Sequence, residues 1–172
     1  MRLCIVGIGN TWASDDAVGP KVVRRLQNQP PPISRQPLQQ TNGDEPEAEV
    51  RPVVIFQTLA QPPVELLDLM EHCDILIVVD AVISGAPPGT IHRHLWSPDL
   101  LSSRGQERAS SHGLGLREML ELAAKLEQLP AKVVLFGIEI KSTELGHGLS
   151  AEVAEALPQV VEQLRREIEQ LF

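Results

Sequence analysis

The sequence predicts an α/β domain: a mostly parallel sheet with helices packed on both faces. Three observations predict it. Short unbroken aliphatic runs of the buried-strand type recur along the chain, with 75–79 (ILIVV) the clearest. Segments of helical periodicity separate them, and Gly, Pro and Asp mark the junctions. The 172 residues suit one domain, and 42% are apolar, enough for a packed core.

Residues 3–7 form the first strand, and 18–26 a helix with Val22, Val23 and Leu26 on one side and Pro20 in its first turn. Residues 27–52 differ from the rest, holding six of the 14 prolines and five glutamines, with a Pro30-Pro31-Pro32 run. Proline removes backbone donors and favours polyproline II, so a mobile surface loop is expected there within a single domain spanning 1–172. Residues 53–56 are the second strand, 63–72 a helix opened by proline, and 75–79 the third strand, ending at Asp80. After the turn at 85–89, residues 90–95 alternate and predict an edge strand. Residues 114–128 predict a helix with Leu116, Leu120 and Ala123 on one face, and 133–138 another strand. Residues 150–172 predict a helix broken at Pro158, with Val161, Leu164, Ile168 and Leu171 as its buried stripe.

Composition narrows the function. The formal net charge is −8, and the aromatics are two Trp and three Phe with no Tyr. A surface so acidic and so poor in stacking side chains does not suit nucleic acid. No apolar run is long enough to span a membrane, and neither a cleavable signal nor a membrane partner is expected. Cys4 and Cys73 lie far apart in the sequence with no C-x-x-C, which fits two reduced thiols in the cytoplasm.

In a sheet of this kind ligands sit beyond the carboxyl ends of the strands. After the first strand comes Gly7-Ile8-Gly9-Asn10-Thr11-Trp12-Ala13-Ser14-Asp15-Asp16. The glycine pair allows a tight turn, but Trp12 replaces the third glycine of a dinucleotide fingerprint, and its bulk is expected to oppose close helix–strand packing. Two adjacent carboxylates would also repel a pyrophosphate. Asp15 or Asp16 is equally readable as a helix cap. Asp80 ends the strongest strand, at the mouth of the sheet. Ser111 is a natural N-cap that leaves His112 in the first turn, where the helix dipole favours neutral imidazole, the form a metal ligand or base requires. Asp16, Asp80 and His112 therefore come from three strand-to-helix regions that the fold permits to converge. Two carboxylates and one imidazole leave positions open on a divalent cation such as Ni²⁺ or Zn²⁺. Without metal, the same two carboxylates could share a proton and serve as an acid–base pair.

The stretches LCIVGIGNTWASDDAVGPKVV, VVDAVISGAPPGTIHRH, SSHGLGLREMLELA and VVLFGIEI…GHGLSAEVAEALP together resemble the NiFe-hydrogenase maturation proteases. These endopeptidases trim the C-terminal extension of the hydrogenase large subunit. The resemblance covers 1–26 and 53–172 and implies a three-layer α/β/α sandwich on a doubly wound sheet, with one antiparallel edge strand. It implies that Asp16, Asp80 and His112 are the metal-contacting and catalytic residues of an aspartic-type, metal-directed protease. Some members carry Glu at the position of Asp16, so Asp15 is a second candidate. The metal implied is nickel presented by the precursor, with Zn²⁺ or Cd²⁺ able to occupy the same donors. The region at 56–63 matches the family's substrate-reading segment only in part; Gly9, Asn10, Gln57, Thr58 and Leu59 are the candidate recognition residues. The implied partner is the nickel-loaded large-subunit precursor. Two other readings stand beside this one. A peptidyl-tRNA hydrolase shares the G-x-G-N turn but needs a histidine shortly after it, where this chain has Asp15-Asp16. A non-catalytic nucleotide-binding module would rest on Gly7-Ile8-Gly9.

Overall fold

The aliphatic runs pair side by side as the interior of one sheet. The structure, a computed structural model, describes residues 1–30, 52–60, 64–97, 109–110, 115–146 and 148–172. Strand β1 (Arg2–Ile8) leads through a 3₁₀ turn (Ser14–Ala17) into helix α1 (Val18–Asn28). Then follow β2 (Val53–Leu59), α2 (Val64–Glu71), β3 (Ile75–Ile83), β4 (Ile91–Leu95), β5 (Ala109–Ser110), α3 (Gly115–Lys125), β6 (Lys132–Glu139) and α4 (Ala151–Glu169). The strand order is β2-β1-β3-β6-β4, with β5 attached to β3. The β1–β2, β1–β3 and β3–β6 pairs are parallel, while β4 runs antiparallel on β6 as the edge.

The two-residue period of the strands sorts the core into two halves. Leu3, Ile5, Ile75, Ile77, Val79, Val134, Phe136 and Ile138 face α1 and α4, against Val22, Leu26, Val160 and Leu164. Cys4, Val6, Ile8, Leu76, Val78 and Val133 face α2 and α3, against Leu66, Met70, Leu120 and Ala123. That is the expected three-layer, mostly parallel α/β/α fold. Each fully buried aliphatic side chain contributes about 1.5–3 kcal/mol. The two cysteines meet at the sheet's amino end: both thiols are free, and Cys73 donates to the Leu69 carbonyl at 2.9 Å. Its pKa is pushed far up, first by a hydrogen bond with Cys4 and then by burial.

Several elements differ from the sequence expectation. The final helix is not broken at Pro158: α4 is continuous, because its buried stripe extends from Val153 to Ile168 on both sides of that proline. Pro158 faces solvent, where water can satisfy the freed carbonyl. Strands β2 and β3 run three and four residues further than the aliphatic runs, so Gln57, Thr58, Leu59 and Asp80 lie inside strands. Ladder hydrogen bonds carry a strand on through polar residues that its hydropathy pattern does not flag. Gln27 and Asn28, placed in the loop, complete α1; residues 31–51 of that loop lie outside the described residues. The 3₁₀ turn and the two-residue β5 were not anticipated.

Candidate active site

The crossover from β1 to β2 runs through α1 on one face, and the return to β3 runs through α2 on the other. The sheet therefore has its switch point between β1 and β3, and its carboxyl edge there is where folds of this kind hold ligands. Glycine lets α1 start almost in contact with that edge. A Cβ on Gly19 would lie 2.5 Å from the carbonyl oxygens of both Ile8 and Val79, and one on Gly7 would lie 2.4 Å from the Gly19 carbonyl oxygen. Trp12 opposes none of this, contrary to the sequence expectation: its side chain is exposed, and Gly19 is the close-packing glycine. A glycine early in an amphipathic helix was the available signal.

The turn after β1 is closed on itself rather than open to a phosphate. Gly9 has φ +145°, and a Cβ there would lie 1.9 Å from the Asp16 carbonyl oxygen. The Gly9 amide donates to the Leu59 carbonyl (2.9 Å), and the Asn10 amide donates to Asp16 Oδ2 (2.7 Å). The amides that would cradle a nucleotide phosphate are thus occupied from within the protein.

Asp15 and Asp16 separate into different tasks. Neither caps the 3₁₀ turn or α1 through its side chain. Asp15 is fully buried and takes four donors from the segment between β6 and α4. The Lys141 and Ser142 amides (3.0 and 3.1 Å) and the Ser150 hydroxyl (3.0 Å) reach Oδ2, and the Ser150 amide (2.6 Å) reaches Oδ1. It clamps the segment between β6 and α4 to the 3₁₀ turn. Ser14, left-handed at φ 32°, is held in that unusual conformation by its hydroxyl on the Gly148 carbonyl (3.1 Å). Asp16 is only 4% exposed, on a turn that packs against β3.

Asp80 is also 4% exposed and lies where β1 stops pairing with β3, one residue past the Gly7–Val79 pair. Its Oδ1 accepts the Ala81 amide at 2.8 Å. Its register partner on β6 is Gly137, which adds no side chain directly opposite it. Past Asp80, β5 takes over the vacated edge of β3: Ser110 pairs with Val82. His112 follows Ser110 by two positions but lies outside the described residues, as does Ser111; α3 is described from Gly115 onward. The structure thus brings Asp16 and Asp80 to the same edge, while the placement of His112 rests on the sequence.

Glu139 was missed in the sequence because it sits inside a strand. It is buried in register with Val82 and accepts the Ser84 amide (2.7 Å) and hydroxyl (2.8 Å), the Gly85 amide (2.9 Å) and His92 Nε2 (3.3 Å). Burial alone would raise its pKa; the bonds from Ser84, His92 and Gly85 outweigh burial and hold it below the ordinary carboxylate value. This cluster fixes the loop after β3 to the end of β6. Of the recognition candidates, Thr58 is exposed and Gln57 half-buried, whereas the Leu59 side chain is packed in the core. Asp68, Glu71 and His72 cluster within reach of one cation, but at the exposed end of α2 ahead of β3, away from this edge.

Fold and site define a doubly wound α/β protein whose switch point holds two buried carboxylates in place of a phosphate cradle. The family model described as hydrogenase maturation protease matches residues 53–167. The hydrogenase 2 maturation protease of Escherichia coli K12 is 29% identical over 172 residues, covering 96% of this chain and 92% of that protein. The hydrogenase expression/formation protein HupD of Thiocapsa roseopersicina is 26% identical over 162 residues; the alignment covers 94% of this chain and 65% of HupD. The solved hydrogenase maturating endopeptidase HybD from E. coli superposes with a TM-score of 0.68 at 26% identity, over 95% of this chain and 90% of that one. This chain belongs to the hydrogenase maturation protease family. That membership displaces the peptidyl-tRNA hydrolase reading.

Proposed function

We propose that this chain is the cytoplasmic endopeptidase that removes the C-terminal extension of a NiFe-hydrogenase large-subunit precursor once nickel has been inserted. The observation that supports this reading most is that Asp16 and Asp80, two buried carboxylates from separate segments, lie at one switch-point edge. Carboxylate oxygens and an imidazole are donors that nickel and zinc accept, so the residues fit the metal the precursor would carry. Asp16, Asp80 and His112 would complete the coordination of that nickel and hold the scissile peptide beside them. Cleavage then needs water to add to the scissile carbonyl. Either the metal polarises the carbonyl or a carboxylate takes the proton from water, and this reading uses Asp80 in its charged form, as a ligand in the first route and as a ligand or base in the second.

The test is co-expression of the nickel-loaded precursor with Asp80→Asn, which keeps the shape and removes the charge. The C-terminal extension is expected to remain on the precursor, with processing slowed at least about 100-fold. Processing at the normal rate by that variant sinks the assignment. His112→Ala is expected to impair cleavage too, and unchanged nickel dependence in it removes His112 from the site.

A further inference from the structure

Trp12 and Leu145 are the two most exposed large apolar side chains among the described residues, at 79% and 71%; no other exceeds 52%. They lie on one ribbon. The segments after β1 and after β6 run antiparallel, with Ala13 bridged to Leu145 and the Gly146 amide donating to the Trp12 carbonyl at 3.0 Å. The Trp12 amide donates to Asn10 Oδ1 at 3.0 Å, and the Asp15 amide to the Ser142 carbonyl at 3.1 Å. Both backbone groups of Trp12 are therefore pinned while its indole stands in water. The chain's other tryptophan, Trp96, is buried.

Folding gains little from an indole left in solvent, but binding gains much from one on a pre-set backbone. Tryptophan is enriched among residues that dominate interfaces, and rigidity lowers the entropy lost on association. The ribbon is also continuous with the turn that carries Asp16. Asn10, which holds the Trp12 amide through its side chain, gives its own amide to the Asp16 carboxylate. A protein that brings a peptide bond to Asp16 meets the Trp12 ribbon as it does so.

We propose that Trp12, with Leu145 on the neighbouring segment of the same ribbon, is the apolar docking anchor for the hydrogenase large-subunit precursor, receiving an apolar side chain beside the segment to be cut. The proposal rests on the function proposed above and adds the surface that captures the substrate. Trp12 is a positioning residue: it grips the precursor and takes no part in bond cleavage.

The test is equilibrium binding of purified nickel-loaded precursor to the Asp80→Asn protein, with and without Trp12→Ala, alongside processing assays in the active background. Trp12→Ala is expected to weaken binding at least about 10-fold, and Trp12→Phe to recover most of it. Leu145→Ala is expected to weaken it less, and Leu95→Ala, exposed at the opposite end of the sheet, not at all. In processing, the Trp12→Ala defect is expected to shrink as precursor concentration rises. Binding by Trp12→Ala within twofold of its parent overturns the proposal. The two readings fail separately. A chain that binds precursor through Trp12 but never cuts it refutes the function and keeps the anchor. Cleavage by Trp12→Ala as efficient as wild type at low precursor refutes the anchor alone.

Discussion

Replacing Gly19 with alanine sets helix propensity against packing, and the two disagree in sign. In a helix, Gly→Ala ordinarily stabilises by about 0.5–1 kcal/mol. Here the new Cβ would lie 2.5 Å from the Ile8 and Val79 carbonyl oxygens and 3.0 Å from the Ile8 nitrogen. All three are backbone atoms of β1 and β3, locked in the sheet, so no side chain can swing aside. Relief requires α1 to move outward by about 1 Å, which forfeits a quarter to a half of the contact energy of the atoms it separates. Val18, Val22, Val23 and Leu26 all pack through that face. Overpacking of this kind costs about 1–3 kcal/mol, so the net loss after the propensity gain is about 1–2 kcal/mol. In urea denaturation at unchanged m, the midpoint is expected to fall by about 0.5–1 M. Gly148→Ala, whose added Cβ meets nothing within 4 Å, is the neutral control. A Gly19→Ala midpoint equal to or above wild type refutes the reasoning.

The Asp15 clamp and the buried glutamates give two more expectations. Asp15→Ala strands four donors, three of them backbone amides, and is expected to cost about 3 kcal/mol by denaturation, since bonds to charged groups contribute about 1.5–3 kcal/mol each and water recovers part; a loss below about 1 kcal/mol contradicts the clamp. Glu139 is held below its ordinary value of 4.5 because the bonds from Ser84, His92 and Gly85 outweigh its burial. Glu167 is held low by Arg93, whose two bonds are 2.8 and 2.9 Å, and by Lys132 at 3.1 Å, against a smaller effect of burial. Both pKa values are lowered on folding, so the stabilisation is fully present above about pH 4.5 and is lost as pH falls through the folded values. Glu139→Gln is expected to flatten that acid limb, read as urea midpoints at pH 6 against pH 3.5; an unchanged slope rules Glu139 out as a contributor.

The strand cores, the helix faces and the two-sided sheet were legible in the sequence, because aliphatic runs and helical stripes report burial directly. Asp80 was legible as well, since a charge at the end of five aliphatic residues is conspicuous. Even so, its place inside β3 was hidden: the ladder that carries the strand on to Ile83 is made of backbone bonds to β6 and β5 that leave no side-chain pattern. Glu139 was hidden for the same reason.

The sequence alone determined the fold class and the candidates Asp16, Asp80 and His112, through patterns local enough to read along the chain. Only the tertiary structure decided between Asp15 and Asp16 as the clamp, because the amides and hydroxyl that claim Asp15 come from Lys141, Ser142 and Ser150, far away in sequence. Tertiary packing likewise decided that Gly19 rather than residue 12 supplies the close approach, and that Trp12 stands in water. The reason is common to all three. Burial, hydrogen-bond partnership and clearance are properties of a residue's spatial neighbours, and those neighbours exist only once β1, β3 and the segment after β6 have come together.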